Sequence, residues 1–284
     1  MSERVLGKPA AEKLTESLKI ETDSLMGKGI KPKLLIMRVG EKADDLAYEK
    51  GAITRCGKIG VEVEVKVFSE NITTEEFKGE IEKANNDTGI HGVLIFRPLP
   101  KQIDENVIRH MIIPIKDIDC FNPINSSKLL EGDKTGFGPC TAEAVMELLK
   151  HYDINLTGKR AVVIGRSMVI GKPVAIMLLN ENATVTICHS KTKDLNKVCA
   201  QADILIAALG KAKIVDDTFI KEGAIIVDVG INVDEEGNMV GDVDFEKCNL
   251  KASMITAVPG GVGSVTTTIL ASHVIKACKN INKI

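Results

Sequence analysis

Arg160-Ala161-Val162-Val163-Ile164-Gly165-Arg166-Ser167-Met168-Val169-Ile170-Gly171-Lys172-Pro173 decides the fold. An apolar run of strand length stops at Gly165, a short loop follows, and Gly171 opens a helix that the pattern carries to Asn180. Such a turn aims backbone N–H groups and a helix N-terminus at a pyrophosphate. The pattern is G-R-S-x-x-x-G-x-P rather than G-x-G-x-x-G. A glycine loop alone is often an ordinary turn, so the neighbouring segments must arbitrate.

They read as an alternating series. Downstream come a strand over Thr184–Cys188, a helix over Leu195–Ala200, and strands over Ile204–Ala208 and Ala224–Gly230. Upstream lie a helical stretch from Gly7 to Gly29, a strand from Lys33 into Gly40, a helix over Asp44–Ile59 and a strand over Val61–Phe68. A helix over Thr73–Asn85 follows, with Thr73 or Thr74 ahead of two glutamates, and then a strand over Gly92–Phe96. Apolar strands alternating with helices imply an α/β fold with parallel sheets, one of them a Rossmann-type nucleotide-binding sheet. Residues 116–140, rich in Asn, Asp, Gly and Pro, read as a loop-rich connection. Thr141 reads as the N-cap of a helix reaching Tyr152, and a last helix covers Thr266–Cys278.

A length of 284 residues suits two domains, and a net charge of −2 with 3% aromatics and no Trp argues against a nucleic-acid partner. No apolar run reaches membrane-spanning length. The seven cysteines are odd in number and form no CxxC pair. Neither a disulfide framework nor a metal site is expected, and the thiols point to a reducing, cytoplasmic compartment.

NAD sites usually carry an acid at the end of the second strand, to hold the ribose 2′-hydroxyl. Here that position reads Cys188-His189-Ser190-Lys191-Thr192, with Arg166 in the phosphate loop. Cationic and hydroxyl groups suit a 2′-phosphate, which favours NADP over NAD. The plainer reading leaves Arg166 and Lys191 as solvated surface.

The ordered motifs resemble the methylenetetrahydrofolate dehydrogenase/cyclohydrolase family. They are Val39-Gly40 with Tyr48, Pro98-Leu99-Pro100, Lys116-Asp117-Ile118-Asp119, Pro139-Cys140-Thr141, Gly165-Arg166-Ser167 to Pro173, Cys188 to Thr192, Gly223 to Asn232, Gly241-Asp242-Val243 and Pro259-Gly260-Gly261-Val262-Gly263. The resemblance implies a folate-binding α/β domain over residues 1–140 with a returning C-terminal helix over 265–284. It implies a Rossmann domain over 141–264, a folate lying in the cleft between the two, and a homodimer. On the same ground Tyr48 and Asp119 are expected at the reacting folate, Asp119 on the pterin N–H edge, with Phe96, Pro98, Leu99, Pro259, Gly260 and Gly261 around it. Gly165, Arg166, Ser167, Gly171, Pro173, His189, Ser190, Lys191, Gly210 and Ile231 are expected at NADP.

The family runs two reactions. Hydride transfer from the folate's methylene carbon moves no proton and needs proximity and orientation. Opening the methenyl ring with water moves protons and wants a positioned acid/base. In the family that group is a lysine four residues after the tyrosine, held by a glutamine. Here these positions are Ala52 and Phe96. Lys50 lies round the helix from Tyr48, and Arg55 carries a guanidinium that does not titrate near neutrality. The expectation is hydride transfer with hydrolysis lost or weak. Cys120 and Ser264 replace the family's usual Gly and Pro. Several readings stay open. Tyr48 is a folate contact or a packing aromatic, Phe96 fills space or stacks on a ring, and Arg97 binds a carboxylate tail or faces solvent. His189 is read as a loop residue, and Asp242 with Asp244 lacks the ligand series of a calcium site. Two alternatives to the folate activity are an NADP dehydrogenase of altered substrate and a non-catalytic folate- or nucleotide-binding protein.

Overall fold

The computed structural model describes residues 1–284. In chain order the elements are β1 (Glu3–Val5), α1 (Gly7–Met26), β2 (Lys33–Val39), α2 (Ala43–Ile59), β3 (Glu62–Phe68), α3 (Thr74–Asn86), β4 (Gly92–Ile95), α4 (Glu105–Met111) and α5 (Pro123–Glu131). They continue with α6 (Cys140–His151), β5 (Arg160–Ile164), α7 (Gly171–Asn180), β6 (Thr184–Cys188), α8 (Leu195–Cys199), β7 (Ile204–Ala207) and β8 (Ile225–Asp228). The last are β9 (Asn232–Val233), β10 (Met239–Val240), α9 (Phe245–Cys248), β11 (Met254–Thr256) and α10 (Gly263–Asn282). Two compact units result, one of residues 1–12 and 141–266, the other of residues 13–140 and 267–284.

The first unit is built on a six-stranded sheet of order β1-β11-β8-β7-β5-β6. Every pairing in it is parallel. β5 sits between β6 and β7, with Val162 opposite Thr186 on one side and Leu205 on the other. The order therefore reverses at β5/β7, the crevice where this class of sheet binds nucleotides. The central strands are apolar throughout because helices cover both faces. Val162, Ile164, Leu205, Ala207, Ile226 and Ile255 share one buried cluster.

The second unit has a three-stranded parallel sheet, β3-β2-β4. Leu35, Met37, Phe77, Ile81, Val93 and Ile95 pack in its core. The C-terminal helix α10 lies on this sheet, since a Cβ added at Gly92 would come within 3.1 Å of Val274. The capping box read at α3 is present, with Thr73 Oγ1 accepting from the Glu76 N–H at 3.2 Å and the Glu76 carboxylate accepting from the Thr73 N–H at 2.9 Å.

Four expectations need correcting. Residues 1–12, expected in the folate domain, belong to the six-stranded unit, because β1 completes its edge by pairing with β11. The crossover along α10 falls at residue 267, two residues later than expected. The 116–140 segment is not all loop: Asn122 caps α5, accepting from the Ile124 N–H at 2.8 Å, and Pro123 stands at the first helical position. Thr141 is not an N-cap, since α6 already begins at Cys140, whose N–H finds Asp119 Oδ1 at 2.8 Å.

Two buried charges hold loops without a charged partner. Lys116 is 4% exposed, and its ammonium donates to the Ala84, Asn85 and Asp87 carbonyls, at 2.9, 2.9 and 2.6 Å, closing the C-terminal end of α3. Asp228 at the end of β8 accepts from the Gly230 and Asp242 N–H groups, both at 3.0 Å, and from Val243 at 2.9 Å. Burial pushes its carboxyl up to about 6, helped by the neighbouring Asp242 charge.

Lys116→Met removes three charged hydrogen bonds and leaves buried carbonyls unmet. It should lower unfolding free energy by about 2 kcal/mol in urea titrations. For Asp228 the folded pKa of about 6 lies above the ordinary carboxyl value of 3.8. Its contribution to stability is full below the lower value and lost as pH rises through the upper one. The loss amounts to about 3 kcal/mol across that window. Urea titrations of wild type and Asp228→Asn from pH 4 to 7.5 should show their difference moving by that amount against wild type. Parallel pH curves would contradict the assignment.

Candidate functional site

In the three-stranded unit α2 carries Tyr48 and Ala52 on one face, because residues four apart stack along a helix. The helix is fixed to β2 by an ion pair, Arg38 Nε to Glu49 Oε2 at 2.8 Å, with both side chains largely buried. The Arg38 guanidinium also donates to the Gly40 carbonyl. Tyr48 is half-buried and meets Phe96 edge-to-face, ring centres 5.9 Å apart. Ala52 is 0% exposed. Lys50 is exposed, and Arg55 donates to Thr15 Oγ1 at 2.9 Å, on α1. No basic side chain on α2 therefore takes the place of the family's lysine beside Tyr48.

Arg97 follows Phe96, and its guanidinium finds partners within the protein. Its Nη2 lies 3.4 Å from Asp119 Oδ2, and its guanidinium sits 4.5 Å from the Phe121 ring centre. Asp119 Oδ1 accepts the Cys140 N–H. Tyr48, Phe96, Arg97 and Asp119 thus form one connected strip. Pro98 is exposed and its carbonyl accepts from the Lys42 ammonium at 2.8 Å. Leu99, at 8% exposure, belongs to the core under the strip. Behind Asp119, the buried His273 Nδ1 lies 2.7 Å from the Ile118 carbonyl and 3.7 Å from Cys140 Sγ.

Asp117 supports the turn that presents Asp119. It accepts from the Phe121 and Asn122 N–H groups at 2.9 and 2.8 Å and from Asn125 Nδ2 at 2.8 Å. Burial raises its pKa, against the pull of the Asn125 bond. Cys120, between Asp119 and Phe121, stands at φ +57, which explains why a glycine is usual there: a side chain in the left-handed region is strained.

In the six-stranded unit the loops expected at the cofactor leave the carboxyl ends of β5, β6, β7 and β8. Gly165 has φ +133, and a Cβ there would lie 2.4 Å from the Ala208 carbonyl oxygen. A Cβ at Gly171 would lie 2.3 Å from the Gly165 carbonyl oxygen, so the loop closes tightly on the start of α7. Pro173 is buried in the first turn, while Arg166 and Ser167 are exposed. After β6, the His189 Nδ1 accepts from the Lys191 N–H at 3.1 Å, leaving Ser190 and Lys191 exposed. These features fit a dinucleotide: a backbone cradle too tight for side chains, exposed cationic and hydroxyl groups, and no acid after β6.

Gly210 (φ +65) and Ile231 (64% exposed) lie after β7 and β8. Pro259, Gly260 and Gly261 belong to this unit too, and Gly261 meets the Ala257 carbonyl oxygen at 2.4 Å from an added Cβ. Asp242, part of the Gly241-Asp242-Val243 motif, is a buried hydrogen-bond acceptor. Its oxygens take the N–H groups of Leu209 (2.5 Å), Gly210 (3.1 Å) and Lys211 (2.8 Å) and the Asn232 amide (3.0 Å). Its flanking Gly241, with Gly230, was the available signal. No group of three or more His, Cys, Asp or Glu could hold a metal ion. Burial pushes the thiols of Cys56, Cys199 and Cys248 up to about 12, which leaves them poor nucleophiles.

Known families match the chain in two consecutive stretches. Residues 5–119 match the tetrahydrofolate dehydrogenase/cyclohydrolase catalytic domain, and residues 139–282 match the NAD(P)-binding domain of that family. A relative from Alkaliphilus oremlandii, named bifunctional protein FolD, is 62% identical over 279 residues, covering 98% of each chain. The crystal structure of a bifunctional FolD enzyme from Campylobacter jejuni superposes with a TM-score of 0.96 at 44% identity, covering 99% of each chain. A Trypanosoma brucei FolD structure, complexed with NADP cofactor and inhibitor, gives a TM-score of 0.94 at 33% identity, covering 100% of this chain and 99% of that one. Matched from end to end, the chain belongs to the tetrahydrofolate dehydrogenase/cyclohydrolase family.

Proposed function

We propose that the protein oxidises 5,10-methylenetetrahydrofolate to the 5,10-methenyl cation with NADP, and that its ring-opening activity is lost or weak. One observation carries the second half: Ala52 is fully buried where the family's lysine stands, and Phe96 lies against Tyr48 where the glutamine stands. The relatives are named bifunctional, and these two residues stand against that reading here.

The chemistry explains how one activity can outlive the other. In the oxidation, the C–H bond pair leaves the methylene carbon with its hydrogen, and the lone pairs of the flanking nitrogens stabilise the cation left behind. No side chain gives or takes a proton. NADP supplies the hydride acceptor. Asp119 takes the donors of the pterin edge, its position set by the Cys140 N–H and the Arg97 guanidinium. Tyr48 and Phe96 offer aromatic surface to the folate, with Pro98 at the rim and Leu99 packed beneath. Gly165, Arg166, Ser167, Gly171 and Pro173 would hold the pyrophosphate, and His189, Ser190 and Lys191 the 2′-phosphate. Gly210 and Ile231 would border the nicotinamide, and Pro259, Gly260 and Gly261 the folate. The reading includes a homodimer in a reducing, cytoplasmic compartment, where the seven cysteines, none in a disulfide, persist as thiols. Water addition to the cation does move protons, and Ala52 occupies the position of the family's acid/base lysine.

Purified protein given methylenetetrahydrofolate and each cofactor should reduce NADP in preference to NAD and accumulate the methenyl product. Enzyme-accelerated decay of that product, comparable with its formation, would contradict the single-activity reading. Asp119→Ala should lower kcat/KM for the folate by about 30- to 100-fold, the equivalent of about 2–3 kcal/mol. Ala52→Lys alone should leave hydrolysis weak, because Phe96 offers the new ammonium no acceptor. Ala52→Lys with Phe96→Gln should raise hydrolysis by about 10²-fold, the lower end of an acid/base contribution. Retained NADP reduction in the double variant serves as the control for folding.

A further inference from the structure

Asp242 is 0% exposed and lies beneath two loops at the carboxyl edge of the six-stranded sheet. Its Oδ2 accepts from the Leu209 and Gly210 N–H groups, and its Oδ1 accepts from the Lys211 N–H and the Asn232 side-chain amide. Leu209 to Lys211 follow β7, and Asn232 follows β8. One carboxylate therefore sets the course of the chain beyond two adjacent strands.

The carboxylate is itself held from behind. Asp228 accepts the N–H groups of Asp242 and Val243. The space for this stack is made by glycines: a Cβ at Gly230 would lie 2.3 Å from the Asp242 carboxyl carbon, and one at Gly241 would lie 1.8 Å from Asp228 Oδ2. Both carboxylates are buried, and burial together with the nearby Asp242 charge disfavours the ionised form of Asp228, so the arrangement is costly. Ordinary turn formation does not require such a pair, since the same N–H groups at a surface loop would be met by water.

The sheet order shows what the two loops face. A dinucleotide lies across the carboxyl ends of a doubly wound sheet, its adenosine half toward the second strand and its other half across the switch point. Here β6 is the second strand, and β7 and β8 lie across the switch. We infer that Asp242 is a positioning residue for the nicotinamide end of the cofactor: it fixes the backbone after β7 and β8 against which that ring rests. The inference builds on the cofactor assignment above and adds a residue that need not touch the cofactor.

The test compares two ligands that differ only in the nicotinamide. NADP and 2′-phospho-ADP-ribose are titrated calorimetrically into wild type, Asp242→Asn and Asn232→Ala, with kcat and both KM values measured in parallel. An asparagine at 242 offers one acceptor oxygen and turns an NH₂ toward N–H donors. NADP affinity and kcat should each fall by about tenfold. Affinity for 2′-phospho-ADP-ribose and the KM for methylenetetrahydrofolate should stay within about twofold of wild type, as expected of sites with no shared partners. Asn232→Ala removes one of the four contacts and should shift NADP affinity in the same direction by about threefold. It carries the same comparison if Asp242→Asn does not fold. Equal losses for both ligands would make Asp242 a support for the whole nucleotide unit and overturn the assignment, as would unchanged NADP binding and kcat. If wild type prefers NAD, the pair becomes NAD and ADP-ribose, so an error in the 2′-phosphate reading leaves this test standing.

Discussion

Aspartate oxygens accepting backbone N–H groups are the constraint on which both candidate sites depend. A parallel sheet satisfies its own backbone only along its strands, and the chain leaving a strand's carboxyl end must find other partners. In the six-stranded sheet those ends carry the loops proposed for the cofactor. Asp117 and Asp119 organise the turn after the three-stranded sheet, the first by closing on Phe121, Asn122 and Asn125, the second by meeting Cys140. Asp228 and Asp242 organise the loops of the six-stranded sheet. Each carboxylate can accept several donors at once, which no neutral side chain matches. The cost is desolvation, visible in the raised pKa values of Asp117 and Asp228.

Hydride transfer and hydrolysis make different demands on such a scaffold. The first needs rigid loops that place two reactants, and buried aspartates supply rigidity without touching the reacting bond. The second needs a group that changes protonation during turnover, and therefore one with solvent or a partner to exchange with. Ala52 puts a buried methyl group where the family's lysine stands, and a ring at Phe96 packs where a polar partner is usual. The changes agree with each other: an apolar ring is a poor neighbour for an ammonium, and an amide would be a poor neighbour for a buried methyl group. Arg97 introduces a cation close by, but ties it to Asp119 and the Phe121 ring.

The parts that were legible in the sequence were those whose signal is local. β2, β4, β5 and β7 are apolar runs of strand length, and the α3 capping box is written in Thr73 and Glu76. β1 was not legible, because three residues have no periodicity and their partner lies about 250 residues further on, at β11. α5 is not evident locally because Asn122-Pro123 suits a loop as well as a helix start. Arg97 was left between two surface roles because its partner, Asp119, is distant in sequence. The role of Asp242 is not legible locally, because it rests on donors gathered from two other places in the chain, residues 209–211 and Asn232.

What the sequence by itself determined was the alternation of strands and helices, the phosphate loop, the missing acid after β6 and the absence of the lysine and glutamine. Each is a matter of residue type at a fixed spacing, and spacing survives without a fold. What only the tertiary structure decided was which carboxylates face backbone donors, where Arg97 turns, and which unit the first twelve residues join. Those depend on groups that meet only after the sheets have formed, when burial makes every N–H and every charge seek a partner.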